Sequence, residues 1–184
     1  MTAPQFTLAV VATLDGFIAR STDDPPNSWA SEEEQTLFMA EVERADWSIL
    51  GRHTHLAADK PDRRRIILSS TATAQDWRRP RQLWLNPTGY APSDLAELVS
   101  EIHPLHIGLI LGGTRVHDWF YRHNAINRIK LTVEPIRFGA GIPMFSDQPP
   151  GDPRDVLRSM GFAVQSDKAL NAKGTRLLIL GPGP

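Results

Sequence analysis

The sequence predicts an α/β fold built on one mixed, mainly parallel central sheet that closes with an antiparallel hairpin. Two observations carry this. Short apolar runs read as buried strands and alternate with stretches whose apolar residues recur at helical spacing. That alternation implies parallel strands joined by right-handed crossovers. The last two apolar runs, 161–168 and 174–180, lie close enough to pair as a hairpin and add an antiparallel edge. With 184 residues there is room for one domain, taken as 1–184. Hydrophobic residues at 41% and charged residues at 22% mark globular rather than disordered composition.

Taken in order, residues 5–12 (QFTLAVVA) are the first buried strand. The stretch 21–30 (STDDPPNSWA) is turn chemistry, and its two prolines forbid a helix. Ser31 has the character of an N-cap, with Glu34 three residues on to complete a capping box. Leu37, Phe38, Val42 and Ala45 then follow at helical spacing, giving an amphipathic helix over 32–45. A strand over 46–50 ends in Gly51 and leads into a short helix over 52–58. Residues 65–69 and 82–85 are further strands, 93–102 is a helix capped by Ser93, and 106–111 is a fully buried strand broken by Gly112 and Gly113. A helix over 115–122 and a strand over 127–134 follow, and the Pro- and Gly-rich tract 135–153 is expected to be mostly irregular.

Several function classes drop out on composition. Twenty Lys and Arg against 21 Asp and Glu leave a formal charge of −1. That balance removes the electrostatic reason to expect a nucleic-acid or anionic-membrane partner. The absence of cysteine excludes disulfides, thiolate metal sites and cysteine nucleophiles. His53 with His55, and His117 with His123, lack the spacing of metal ligands, so no metal is expected. No apolar stretch approaches the roughly 18 residues of a membrane span, and no basic leader precedes the first strand. The expectation is a soluble, cytoplasmic protein.

Open α/β sheets bind ligands beyond the carboxyl ends of their strands, so chemistry is sought at the strand exits. Gly51-Arg52-His53-Thr54 follows one strand, with a glycine that lets backbone N–H groups approach a phosphate and three side chains able to donate. Ser69-Ser70 puts two hydroxyls at another exit. Gly112-Gly113-Thr114-Arg115, followed by Val116, opens a helix and forms a second candidate anion cradle.

This constellation resembles the dihydrofolate-reductase-like superfamily. The stretch ILGRHTHLAADKPDRRRIILSS resembles the family's adenosine-phosphate segment, and LILGGTRVHDWF resembles its glycine-pair segment, in which a cis Gly-Gly peptide faces the cofactor pyrophosphate. SWASEEEQTLF resembles the segment in which an acid lies four residues before a substrate-walling phenylalanine, which makes these Glu34 and Phe38. ATLDGFIA and IRFGAGIPMF resemble the pyrimidine reductase of riboflavin biosynthesis, the reductase half of a bifunctional deaminase-reductase. PDRRRIILSS instead places Arg63 where folate-type enzymes hold a substrate carboxylate.

The resemblance implies a three-layer reductase fold, NADPH as cofactor and a homodimer. Gly51, Arg52, His53, Thr54, Ser69 and Ser70 would serve the adenosine phosphate, and Gly112, Gly113, Thr114, Arg115 and Val116 the pyrophosphate. Ala12 and Ile18 would flank the nicotinamide, the loop around Asp23-Asp24-Pro25-Pro26 would act as a lid, and Glu34, Phe38, Arg63 and Thr132 would meet the substrate. Glu34 would be the proton donor, a role that needs a raised pKa in a dry pocket. Plain helix capping is the alternative, since Glu32 and Glu33 show that carboxylates are favoured at this helix start anyway. The arginines Arg63-Arg64-Arg65 and Arg78-Arg79 are expected just before their strands, away from the phosphates. The function expected is reduction of a riboflavin-pathway pyrimidine. The alternatives are dihydrofolate reduction, reduction of an unrelated small carbonyl compound, and a non-catalytic dimeric protein that binds a nucleotide or pterin.

Overall fold

The computed structural model describes residues 2–184. In chain order the elements are β1 (Gln5–Thr13), β2 (Phe17–Ala19), α1 (Glu32–Arg44), β3 (Trp47–Gly51), α2 (Arg52–Ala57), β4 (Arg65–Leu68), β5 (Gln75–Arg79), β6 (Gln82–Leu85), α3 (Leu95–Val99), β7 (Ile107–Gly112), α4 (Thr114–Arg122), β8 (Arg128–Glu134), β9 (Ile142–Pro143), α5 (Pro153–Ser159), β10 (Phe162–Ala169) and β11 (Arg176–Pro182). The main sheet runs β10-β11-β8-β1-β7-β3-β4-β6-β5. Its six central strands are parallel, and both edges are antiparallel, the β10–β11 hairpin on β8 and β5 on β6. β2 pairs with β9 in a small separate sheet.

Alternation along β1 divides the layers. Phe6, Leu8 and Ala12 point into the larger apolar core with Leu95 and Val99 of α3, Val116 and Phe120 of α4 and Leu157 of α5. Ala9 points the other way, to a smaller cluster with Leu109, Ala45 and Val42 under α1. Among the described residues no helix is long and apolar enough to cross a membrane.

Several local expectations are corrected. β5 was not foreseen, because QDWRR is polar and only an edge strand tolerates it. Arg78 and Arg79 therefore lie within a strand, and Arg65 heads β4 with its side chain buried. β2 and β9 are too short to show a period. α5 begins where an Asp-Pro pair looks like a breaker: Asp152 caps it, accepting from the Arg154 N–H at 2.8 Å, and Pro153 occupies the first turn, where no N–H is needed. The helix expected over 93–102 shrinks to α3 after one 3-10 turn. Its start is held by Asp94, which accepts from the Ala91 N–H at 2.7 Å, and not by Ser93. Residues 21–30 hold one 3-10 turn, Pro26–Ser28, consistent with proline in its first position.

Candidate active site

The sheet splits at its carboxyl end. Pairing of β1 with β7 stops at Leu8 and Ile110, whereas β1 stays paired with β8 as far as Thr13 and Glu134. β7 meanwhile follows β3, with a register shift that leaves Leu111 out and aligns Leu50 with Gly112. A cleft thus opens between β1 and β7, at the topological position where such sheets take ligands.

On one side of the cleft, Gly112 has φ +133°, a conformation that L side chains rarely adopt, and a Cβ added at Gly113 would meet open space. At the start of α4 the Val116 and His117 N–H groups donate to the Gly113 carbonyl at 2.9 and 3.1 Å, which leaves those of Thr114 and Arg115 without an intrahelical acceptor. No peptide bond among the described residues is cis, so the Gly112–Gly113 bond is trans and the cis bond implied by the resemblance is not found. The Thr114 hydroxyl is engaged by the Pro143 carbonyl at 2.7 Å, which leaves this residue its backbone N–H. Arg115 is exposed and Val116 is buried. A Cβ built at Gly51 would lie 3.5 Å from Val116 Cγ2 and 3.7 Å from the Gly112 oxygen, so the two glycine strand exits are neighbours.

The exits of β3 and β4 converge beside them. Arg52 and His53 are exposed on the start of α2 and Thr54 is half-buried. Arg52 Nη1 lies 3.5 Å from Thr71 Oγ1, which in turn is 3.0 Å from Ser69 Oγ. Ser70 is exposed, and its carbonyl accepts from Asn86 Nδ2 at 3.3 Å. Thr71 was missed because the sequence reading stopped at the two serines; the continuous hydroxyl run Ser69-Ser70-Thr71 was the available signal. A guanidinium fork with two hydroxyls suits a dianion, and with the open cradle at Gly113 the residues fit a phosphorylated dinucleotide. Ala12, fully buried near the end of β1, and Ile18, half-buried on β2, lie on the β1 side of the cleft.

The acid sits on that side too. Ser31 caps α1, its Oγ accepting from the Glu34 N–H at 3.3 Å. The capping box is not closed by Glu34, however. The Ser31 N–H donates to Glu134 Oε1 at 2.7 Å, and Glu134 Oε2 accepts from Thr175 Oγ1 at 2.7 Å. Glu34 is thereby released from capping, and its carboxyl turns into a slot between α1 and β8 that Phe38 and Thr132 also line. It is only 7% exposed. Burial pushes its pKa up to about 7, and the nearby charge of Glu134 adds to the effect. Thr132 is buried but makes no hydrogen bond to Glu34; the electrostatic neighbour is Glu134, which the sequence reading did not single out.

The loop between β1 and α1 is tied down on Phe138, in the segment that follows β8. Asp24 accepts from the Arg20 N–H at 3.0 Å and from Ser28 Oγ at 2.8 Å, and it ion-pairs with the Arg20 side chain. Arg20 lies over the Phe138 ring at 4.4 Å and Trp29 packs edge-on against it at 5.1 Å. Asp15 joins the same two loops, accepting from Thr13 Oγ1 at 2.6 Å and from the Gly139 N–H at 2.8 Å. Burial alone would raise the Asp15 pKa, but these hydrogen bonds outweigh it and hold the carboxyl below its usual range.

Arg63 is not brought to the slot. Its Nη2 is 2.6 Å from Glu43 Oε1, nine residues beyond Glu34 on α1, or about 13 Å along the helix axis.

The sheet order, with its parallel centre and antiparallel edges, defines the dihydrofolate-reductase-like fold class. The RibD C-terminal domain family matches residues 4–159, and the chain belongs to that family. Among solved structures, RibD of Acinetobacter baumannii is similar with a TM-score of 0.72 at 18% identity, over 99% of this chain and 59% of that one. The Thermotoga maritima diaminohydroxyphosphoribosylaminopyrimidine deaminase/5-amino-6-(5-phosphoribosylamino)uracil reductase gives 0.65 at 17% identity, over 98% and 57%. A Shewanella sp. PV-4 protein provisionally assigned to riboflavin biosynthesis gives 0.65 at 20% identity and is covered in full, as is this chain. This chain therefore spans less than two thirds of the first two relatives. No curated protein sequence matches it with significance.

Proposed function

We propose that the chain is an NADPH-dependent reductase of a riboflavin-pathway pyrimidine, of the 5-amino-6-(5-phosphoribosylamino)uracil reductase type. Membership of the RibD C-terminal domain family and the activity named for the Thermotoga relative support this reading. The observation that carries it is Glu34, a buried carboxyl holding its proton near neutral pH beside the cleft. Arg52, Ser69 and Thr71 would hold the 2′-phosphate, the start of α4 the pyrophosphate, and Ala12 and Ile18 would border the nicotinamide, which when bound supplies the hydride. Glu34 would give its proton to the substrate heteroatom whose double bond to carbon is being reduced. The nearby Glu134, which accepts from the Ser31 N–H and the Thr175 hydroxyl, favours the protonated form of Glu34 before the reaction. The loop docked on Phe138 would keep water from the slot.

The folate-type alternative needs Arg63 free to hold a substrate carboxylate, and Glu43 occupies it. A homodimer belongs to the same proposal, supported by family resemblance and by the exposed edge strand β10. The test is substrate-dependent oxidation of NADPH. Wild type is expected to oxidise it with the phosphoribosylaminouracil substrate, and Glu34→Gln to lower turnover by about a hundredfold or more with nucleotide affinity unchanged. Oxidation with dihydrofolate and none with the pyrimidine would move the chain to the folate branch.

A further inference from the structure

The slot beside Glu34 holds a second ionic feature that the proposed reaction leaves unused. β8 turns Lys130, Thr132 and Glu134 to the same face, and α1 presents Glu34 and Glu41 opposite them, two turns apart. The Lys130 ammonium is hydrogen-bonded to Glu41 Oε1, and the two side chains are 20% and 17% exposed. In the sheet Lys130 lies between Ala9 of β1 and Ile179 of β11, so its own row is otherwise apolar. An ion pair in such a place is ordinarily no more stabilising than apolar side chains of the same volume. Stability alone therefore gives little reason for it.

The charges nearby narrow what the pair can recognise. Glu41 pairs with Lys130 and, through the same oxygen at 3.5 Å, with the exposed Arg44, and Glu134 is already satisfied by the Ser31 N–H and the Thr175 hydroxyl. The residues lining the slot thus offer no free cation to a phosphate, and their carboxylates repel one. What the pair offers is a donor next to an acceptor: the ammonium retains two N–H groups and the carboxylate retains lone pairs. A ring lactam, with N–H adjacent to C=O, is the matching edge. The slot itself is about 40 Å³, room for little more than a water, so a ring does not enter it and reaches the pair only with its edge.

Resting on the reading of this slot as the substrate site, we infer that Lys130 and Glu41 together read the lactam edge of the substrate ring. Lys130 donates to the ring carbonyl, Glu41 accepts from the ring N–H, and oxo-pyrimidines are preferred over amino-pyrimidines. Both are specificity residues, distinct from the proton donor Glu34.

The test is binding of two unreactive probes, 5,6-diaminouracil and 2,4,5,6-tetraaminopyrimidine, to the full chain at about pH 8, with a parallel NADPH titration. Wild type is expected to prefer the uracil by about tenfold or more, the scale of a charge-assisted hydrogen bond. The double variant Lys130→Met/Glu41→Leu should bind both probes alike while its NADPH titration stays as in wild type. Glu41→Gln, which keeps the shape, should lose most of the preference and serves if the double variant does not fold. Absence of a preference in wild type, or its persistence in folded variants, overturns the inference. If wild type fails to bind NADPH yet shows the preference and the variants lose it, the cofactor reading falls and the lactam reading stands.

Discussion

Glu34 and His117 are buried groups with large, opposite shifts in titration. Glu34 has a folded pKa of about 7 against an ordinary 4.5. The folded state therefore binds its proton more tightly than the unfolded state, and stability falls as pH rises from 4.5 to 7. The difference amounts to about 3 kcal/mol. Glu34→Gln should abolish that slope and leave the variant more stable than wild type at pH 8, by melts at pH 5 and pH 8; equal slopes in the two proteins would contradict this. His117 is buried and donates from Nδ1 to the Met144 carbonyl at 2.8 Å, with Nε2 unpartnered. Burial pushes its pKa down to about 4 from 6.5, so the folded state resists protonation. Its contribution is present above pH 6.5 and is lost as pH falls towards 4, again about 3 kcal/mol. His117→Phe should flatten the acid side of the stability profile in the same melts. At this scale the sequence was partly legible. Ser31-x-x-Glu34 reads equally well as a capping box and as a site acid, and what separates the two is Glu134, 103 residues from Ser31 and contributed by another strand.

Among the elements, the turn after β1 does most to position the site. Gly16 has φ +87°, and a Cβ there would lie 2.5 Å from the Gly151 carbonyl oxygen, a backbone atom that cannot step aside cheaply. Gly16→Ala should lower stability by about 2 kcal/mol or more in denaturant titration. Asp15→Ala removes the acceptor for the Gly139 and Phe138 N–H groups and should cost about 1–3 kcal/mol. It should also raise hydrogen exchange at residues 138–139 ahead of the core strands; uniform exchange would show that the tie is not local. Long periodic elements such as α1 and the buried strands were readable because burial imposes their pattern. β5 was not, since an edge strand with Arg78 and Arg79 needs no apolar face, and neither was α5, whose Asp-Pro start imitates a loop.

For the molecule as a whole, strand order decides where chemistry is possible. The parallel strands point the exits of β3, β4 and β7 the same way, and the parting of β1 from β7 puts Glu34 across the cleft from the glycine exit at the start of α4. The strand exits were visible in the sequence as glycine and hydroxyl clusters; the closeness of Gly51 to Val116 and Gly112 was not, because it depends on which strands are neighbours. The Arg52–Thr71–Ser69 corner is proposed to bind a dinucleotide through its 2′-phosphate. Its most direct test is titration of wild type and Arg52→Ala with NADPH and NADH, followed by tryptophan fluorescence. Tight NADPH binding, weaker NADH binding, and a loss of about tenfold or more for NADPH alone in the variant are expected. Equal affinity for the two nucleotides with no effect of Arg52→Ala, or no binding of either, would contradict the account.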